Sequence, residues 1–279
     1  MSVRRDVLVT AEDLAVELAS SEPPVVLDVR WRLDRPDGWD EYIAWHIHRA
    51  VFVRLDTELS DPWQPATAGR HPLPSQEDLE NAARGWGIDS GSRVVVYDDT
   101  AGLAAARAWW LLRYAGLSDV RLLDGGMKAW TSAGLPLDTG VFIPERGNVR
   151  LQYGALPVVD IEGAARFPSH GVLLDARATE RYRGEVEPVD PVAGHIPGAV
   201  SAPTTANLDA GGRFLADEAL RERFAALGVT DEVAVYCGSG VTAAHEALAL
   251  TLAGFEPVLY PGSWSEWSNH PERPVALGD

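Results

Sequence analysis

The chain has 279 residues, 46% of them hydrophobic, enough for two domains of ordinary size that each bury a core. Its 24 basic and 41 acidic side chains leave a formal net charge of -17, which argues against a nucleic-acid backbone or an anionic membrane as the main partner. An anionic ligand must therefore meet a local basic feature. No apolar run approaches the roughly 20 residues that span a bilayer, and the segment 1–10 carries two arginines without the apolar stretch of an export signal. A single cysteine makes no internal disulfide, so a reducing cytoplasm is the expected compartment. One cysteine and seven histidines without ligand spacing predict no metal, and nothing calls for a cofactor.

In chain order, Val26-Leu-Asp28-Val-Arg30 is a strand-like run, followed by His46-Ile-His-Arg-Ala-Val51 and a helical stretch from Ser75 to Trp86. A strand over 93–97 then closes on Asp98, a helix over 101–115 stops at Gly116, and Leu122-Leu-Asp-Gly125 leads to Trp130. The second half repeats these phrases in order: Leu173-Leu-Asp175-Ala-Arg177, His195-Ile-Pro-Gly-Ala-Val200, Val233-Ala-Val-Tyr-Cys237, and Leu259-Tyr-Pro-Gly262 with Trp267. Offsets between 137 and 149 residues mark a duplicated domain, not a solenoid. Short β-branched runs alternating with helical stretches predict an α/β fold with a parallel sheet in each copy. Gly116 and Gly254 sit where left-handed helix caps belong. Prolines and glycines between Pro136 and Pro157 mark a linker, giving a first domain over 1–138, a linker over 139–157 and a second domain over 158–279.

Cys237 ends the apolar run 233–236 and opens Cys237-Gly-Ser-Gly-Val-Thr242 ahead of an alanine- and leucine-rich helix. A strand that turns through glycines into a helix points backbone N–H groups and the positive helix end at the sulfur, which favours a thiolate and an anion carried on it. Cys237 is thus the candidate nucleophile, with the N–H groups of Gly238, Ser239, Gly240, Val241 and Thr242 as a cradle for charge. The first copy has Asp98 at the corresponding place, which cannot act as a sulfur nucleophile, so one half is chemically competent and the other degenerate. Asp28 and Asp175 recur at strand ends and read as structural acceptors for loop N–H groups, and Trp264 and Trp267 read first as core.

The loop 237–242, the upstream Gly194-His-Ile-Pro-Gly-Ala199 and the C-terminal Pro261-Gly-Ser-Trp-Ser-Glu-Trp267 resemble the tandem-domain rhodanese family, the thiosulfate and 3-mercaptopyruvate sulfurtransferases, over nearly the whole chain. The resemblance implies two tandem rhodanese-like domains, each a central mainly parallel sheet flanked by helices. It also implies a persulfide on Cys237, a small anionic sulfur donor, and cyanide, a thiol or a small redox protein as acceptor. The loop wording looks like the mercaptopyruvate branch, in which the resemblance assigns a catalytic role to Ser239 together with His46 and Asp37. For the donor's carboxylate it implies two arginines: Arg181 matches the first, whereas Glu187-Pro-Val-Asp190 lacks the second, with Arg183 a weaker substitute. A cysteine phosphatase would need an arginine gripping phosphate oxygens where Ala243 stands. The remaining alternative is a non-catalytic rhodanese-like binding or sulfur-sensing module.

Overall fold

The computed structural model describes residues 3–279; Met1 and Ser2, part of the N-terminal segment read above, lie outside them. It divides into two compact units that are not contiguous in sequence. The first comprises Met1–Ser60, Pro74–Ala155 and Ala210–Phe214, the second Asp61–Leu73, Leu156–Asp209 and Leu215–Asp279. Cuts at 138 and 157 therefore miss two short exchanged segments, 61–73 and 210–214, and most of the stretch read as a linker packs with the first unit.

In the first unit, β1 (Leu8–Val9), β2 (Val25–Asp28), β3 (His46–Ile47), β4 (Val51–Phe52), β5 (Val94–Tyr97), β6 (Val120–Leu123) and β7 (Leu137–Asp138) follow in order. Five of them form a sheet ordered β1-β6-β5-β2-β4 whose pairings are all parallel, and β3 pairs antiparallel with β7. Residues 94–97, Val-Val-Val-Tyr, are buried on both faces, as a central parallel strand covered by helices requires. Val26, Leu27, Val95 and Leu123 are buried, and Trp130 closes the core with its indole N–H donated to the Pro136 carbonyl.

The second unit repeats the plan. Here β8 (Val172–Asp175), β9 (Val200–Ser201), β10 (Val233–Tyr236) and β11 (Val258–Leu259) form a parallel sheet ordered β11-β10-β8-β9, the same order as β6-β5-β2-β4. Gly116 and Gly254 cap their helices at φ +92° and +87°, the left-handed conformation that glycine adopts without strain. Among the described residues no helix is long and apolar enough to cross a membrane.

Candidate active site

The sequence places an aspartate at the carboxyl end of a central strand in both units, and each becomes the centre of a buried post. In the second, the Asp175 carboxylate accepts from Arg177 N at 3.0 Å and from Arg177 Nε and Nη2 at 3.0 and 2.6 Å, and Arg177 Nη2 also donates to the Gly194 carbonyl. The first unit matches it with Asp28, Arg30 and the Trp45 carbonyl. Burial works against the charge on Arg177, but the Asp175 carboxylate outweighs it and raises the guanidinium pKa. Burial, reinforced by Asp175, likewise pushes the Tyr236 hydroxyl well up. Asp175 thus accepts one N–H of the next turn, as the sequence suggests, but mainly fixes an arginine that carries the chain from strand to loop.

Cys237 follows the buried strand β10 and is itself 1% exposed. Its amide donates to Ser263 Oγ at 3.1 Å, its carbonyl accepts from Trp264 N at 2.9 Å, and its sulfur accepts from Gly240 N at 3.1 Å. Ser263 is held at φ +56°, an uncommon conformation for a residue with a Cβ. The helix Thr242–Leu252 starts at Val241 without a side-chain cap, so its first N–H groups face the loop.

The degenerate loop of the first unit shows what such a turn holds. Asp98 Oδ1 accepts from Thr100 N and Gly102 N, and Oδ2 from Ala104 N and Ala105 N, all at 2.8 Å. Burial raises this carboxyl's pKa and the four N–H groups pull against that rise. Two donors on each oxygen is the arrangement of a carboxylate. The first loop therefore encloses an anion supplied by its own chain, where the second encloses a sulfur.

Two basic residues that sequence reasoning did not single out, Arg70 and His71, join Cys237 in the second unit. They lie in the exchanged segment 61–73. His71 Nδ1 and Ser239 Oγ share a hydrogen bond of 2.8 Å, and both residues are 6% exposed. The histidine on Ser239 is therefore His71, not His46. The His46 ring Nδ1 donates to the Tyr42 carbonyl at 2.9 Å and stacks on the Tyr42 ring, and its repeat partner His195 does the same with Tyr182. The pair shares one structural role. Asp37 is exposed and accepts from Trp39 N at 3.0 Å, a local turn ahead of the helix Trp39–Ala44. Arg183 is another correction: its Nε donates to the Asp279 carboxylate at 2.6 Å on an exposed face.

Arg181 lies beside the cysteine loop, on the short helix Thr179–Tyr182. A Cβ on Gly238 would stand 3.3 Å from Arg181 Nη1 and 3.4 Å from Arg70 Nη2, so two guanidinium groups converge beside the loop. Arg181 is held by Glu187, at 3.2 and 2.7 Å, and by Asp190 at 3.0 Å, and Arg70 donates to Asp190 at 2.6 Å. Burial would raise the Glu187 carboxyl, but Arg181 and loop N–H groups bring it below the ordinary value. Trp264 and Trp267 are fully buried, with their indole N–H groups donated to the Val192 and Pro274 carbonyls; they wall the core.

A signal for Arg70 and His71 does exist in the sequence. Gly69-Arg70-His71 returns as Gly212-Arg213-Phe214 at an offset inside the range of the other repeats, with histidine in one copy and phenylalanine in the other.

The Rhodanese-like domain model matches residues 10–133 and again 162–270. The chain belongs to the rhodanese family. A Mycobacterium tuberculosis protein carrying the name thiosulfate sulfurtransferase SseB is 48% identical over 283 residues, covering 100% of this rhodanese and 99% of its relative. A Pseudomonas aeruginosa protein named as a 3-mercaptopyruvate sulfurtransferase is 50% identical over 281 residues, 98% of either chain. Among solved structures, 3-mercaptopyruvate sulfurtransferase from Leishmania major superposes with a TM-score of 0.84 at 28% identity, over 97% of this chain and 76% of that one. SseA of Escherichia coli superposes with a TM-score of 0.81 at 33% identity, over 92% and 98%. This rhodanese is a sulfurtransferase, and its reaction requires a sulfur donor and an acceptor.

Proposed function

We propose that Cys237 takes the sulfur of 3-mercaptopyruvate as a persulfide and passes it to cyanide or a thiol. The observation that carries the choice of donor is the His71–Ser239 hydrogen bond within the cysteine loop. Near-equal relatives carry both donor names, so the choice rests on chemistry at the site. Attack of the Cys237 thiolate on the donor sulfur breaks the C–S bond and expels the enolate of pyruvate, which must gain a proton on carbon. The donor's own thiol loses one as the persulfide anion forms, so atoms and charge balance if a relay moves that proton. Ser239 and His71 supply a hydroxyl and an imidazole for the purpose. Thiosulfate would leave as sulfite and need no such relay.

The loop N–H groups of residues 238–242 stabilise the terminal persulfide sulfur as an oxyanion hole stabilises oxygen. An acceptor nucleophile then attacks that sulfur and returns Cys237 as thiolate, the second half of a covalent cycle. The cytoplasm remains the proposed compartment, since the reaction needs a reduced Cys237.

The test is steady-state sulfur transfer to cyanide from 3-mercaptopyruvate and thiosulfate side by side, with wild type, Cys237→Ser and Ser239→Ala. The expected result is a preference for mercaptopyruvate of at least about tenfold in kcat/KM, roughly 1.4 kcal/mol, that shrinks in Ser239→Ala and no turnover in Cys237→Ser. A preference for thiosulfate that survives Ser239→Ala would replace the donor assignment. Full transfer by Cys237→Ser would remove the persulfide mechanism.

A further inference from the structure

We propose that the first unit carries a binding site for a small organic cation, an amine or quaternary ammonium with an apolar body, in the aromatic cavity that holds the Glu58 carboxylate. The cavity measures about 310 Å³, at the small end of the range for ligand pockets. Its lining belongs wholly to the first unit and shares no residue with the cysteine site.

Separate stretches of chain converge to form it. β4 is the outer strand of its sheet and brings Phe52, Trp39 opens the helix Trp39–Ala44, and Trp86 follows the helix Gln76–Gly85. The segment 141–144 completes the lining. That segment is pinned on both sides: Gly140 N donates to the Ile43 carbonyl at 2.8 Å, Phe142 N to Tyr42 Oη at 3.1 Å, and Gly147 N to the Arg84 carbonyl at 2.8 Å. Val141 and Ile143 line the cavity yet remain 51% and 82% exposed, so its mouth opens to solvent.

Glu58 is the one charged side chain in that lining. Its Oε2 accepts from Arg54 N at 2.6 Å and its Oε1 from Trp86 Nε1 at 3.2 Å, both neutral donors, and it makes no ion pair among the described residues. Burial raises its carboxyl pKa, against the pull of those two N–H groups and of the Arg54 charge. A carboxylate short of both water and a counterion gains from a cation beside it and repels an anion. The net charge of -17 adds a field of the same sign.

The rings favour the same sign of charge independently. The centroids of Trp39, Tyr42 and Phe52 lie 5.3 to 5.5 Å from one another, and Trp86 and Phe142 extend the wall. The faces of such rings attract a cation placed within about 6 Å of the centroid. This cluster already holds one of the chain's own: the Arg54 guanidinium sits 5.0 Å from the Trp39 centroid and 5.5 Å from that of Phe52. A neighbouring cavity of about 390 Å³, which shares Trp86 and Phe142, mixes Arg49 with Asp89 and Glu145 and so selects neither sign.

The experiment titrates the full chain, isotope-labelled at its tryptophan nitrogens, with molecules of one shape and different charge: choline, its neutral isostere 3,3-dimethylbutan-1-ol, and the anion 3,3-dimethylbutyrate. Indole N–H signals in the NMR spectrum report binding, and Trp39→Phe and Trp86→Phe assign the two that belong to the cavity. Choline is expected to move both signals and to bind at least about tenfold more tightly than the alcohol, with the anion weaker than either. Glu58→Gln should weaken choline at least about fivefold and leave the alcohol within about twofold. Because the amide turns one of the two acceptor oxygens into a donor, Trp39→Leu is measured beside it and should weaken choline selectively as well. The wild-type series decides the question even if neither variant folds. Equal binding of choline and the alcohol, tighter binding of the anion, no saturation by choline below about 10 mM, or shifts confined to other tryptophans overturn the proposal, as does a choline affinity unchanged in both variants.

Discussion

Replacing Asp98 by asparagine tests whether the degenerate loop is held by the anion at its centre. Asparagine keeps one acceptor oxygen and turns the other into an NH2 donor, so two of the four N–H groups that now meet oxygen at 2.8 Å would face a donor instead. A buried donor left without an acceptor costs about 1–3 kcal/mol, so the pair costs about 2–6 kcal/mol. In a domain of this size each kcal/mol lowers the midpoint by roughly 2–4 °C, so a drop on the order of 10 °C is expected in the first unit's thermal transition. Urea unfolding followed by tryptophan fluorescence gives the free energy directly. Cys237→Ser is the natural comparison, because its sulfur accepts one loop N–H at 3.1 Å and the variant is expected to lose less than about 1 kcal/mol. An Asp98→Asn protein as stable as wild type to within about 1 kcal/mol would refute the picture of a loop built around its own carboxylate.

The other predictions concern the second unit. Glu246 is fully buried on the helix after the cysteine loop; burial pushes its carboxyl up to about 7, against the pull of Arg223 and of hydrogen bonds from Thr204 and Asn207. Between the ordinary carboxylate value and 7 the folded state binds a proton that the unfolded chain has lost, so stability falls as pH rises through that window, by about 3 kcal/mol. Denaturation from pH 4 to 8 should show that slope in wild type and a flatter profile in Glu246→Gln, which should be the more stable at pH 8; parallel profiles would sink the assignment. Gly69→Ala must strain a positive φ and meet the Gly262 carbonyl, so it should lower the melting midpoint; an unchanged midpoint would refute that close approach. Ser263→Ala removes the acceptor of the Cys237 amide and should cost about 1–3 kcal/mol together with a loss of kcat, checked by melting and turnover.

The fold was legible because both of its signals are local. Buried parallel strands such as Val94–Tyr97 and Val233–Tyr236 write themselves as β-branched runs, and the duplication shows each twice. Cys237 was legible for the same reason: it stands where a strand ends, glycines follow and a helix begins. The partners of Ser239 were not, because segment 61–73 has neither helical nor strand periodicity and its hydrogen bonds reach residues 120 to 195 positions away. The repeat even misled, since it drew attention to His46 and His195, whose shared place on a tyrosine carbonyl is architecture. Difference between copies was the better guide to chemistry, in His71 against Phe214 as in Cys237 against Asp98.

The exchanged segment also limits modularity. A gene cut anywhere in the stretch that separates the two sequence halves yields a catalytic fragment with its cysteine, loop and Arg181 intact but without Arg70 and His71, which are encoded far upstream yet fold with the second unit. Such a fragment would keep its cysteine and lose the histidine that shares a hydrogen bond with Ser239. The sequence half without the cysteine therefore still supplies a segment of the unit that holds it.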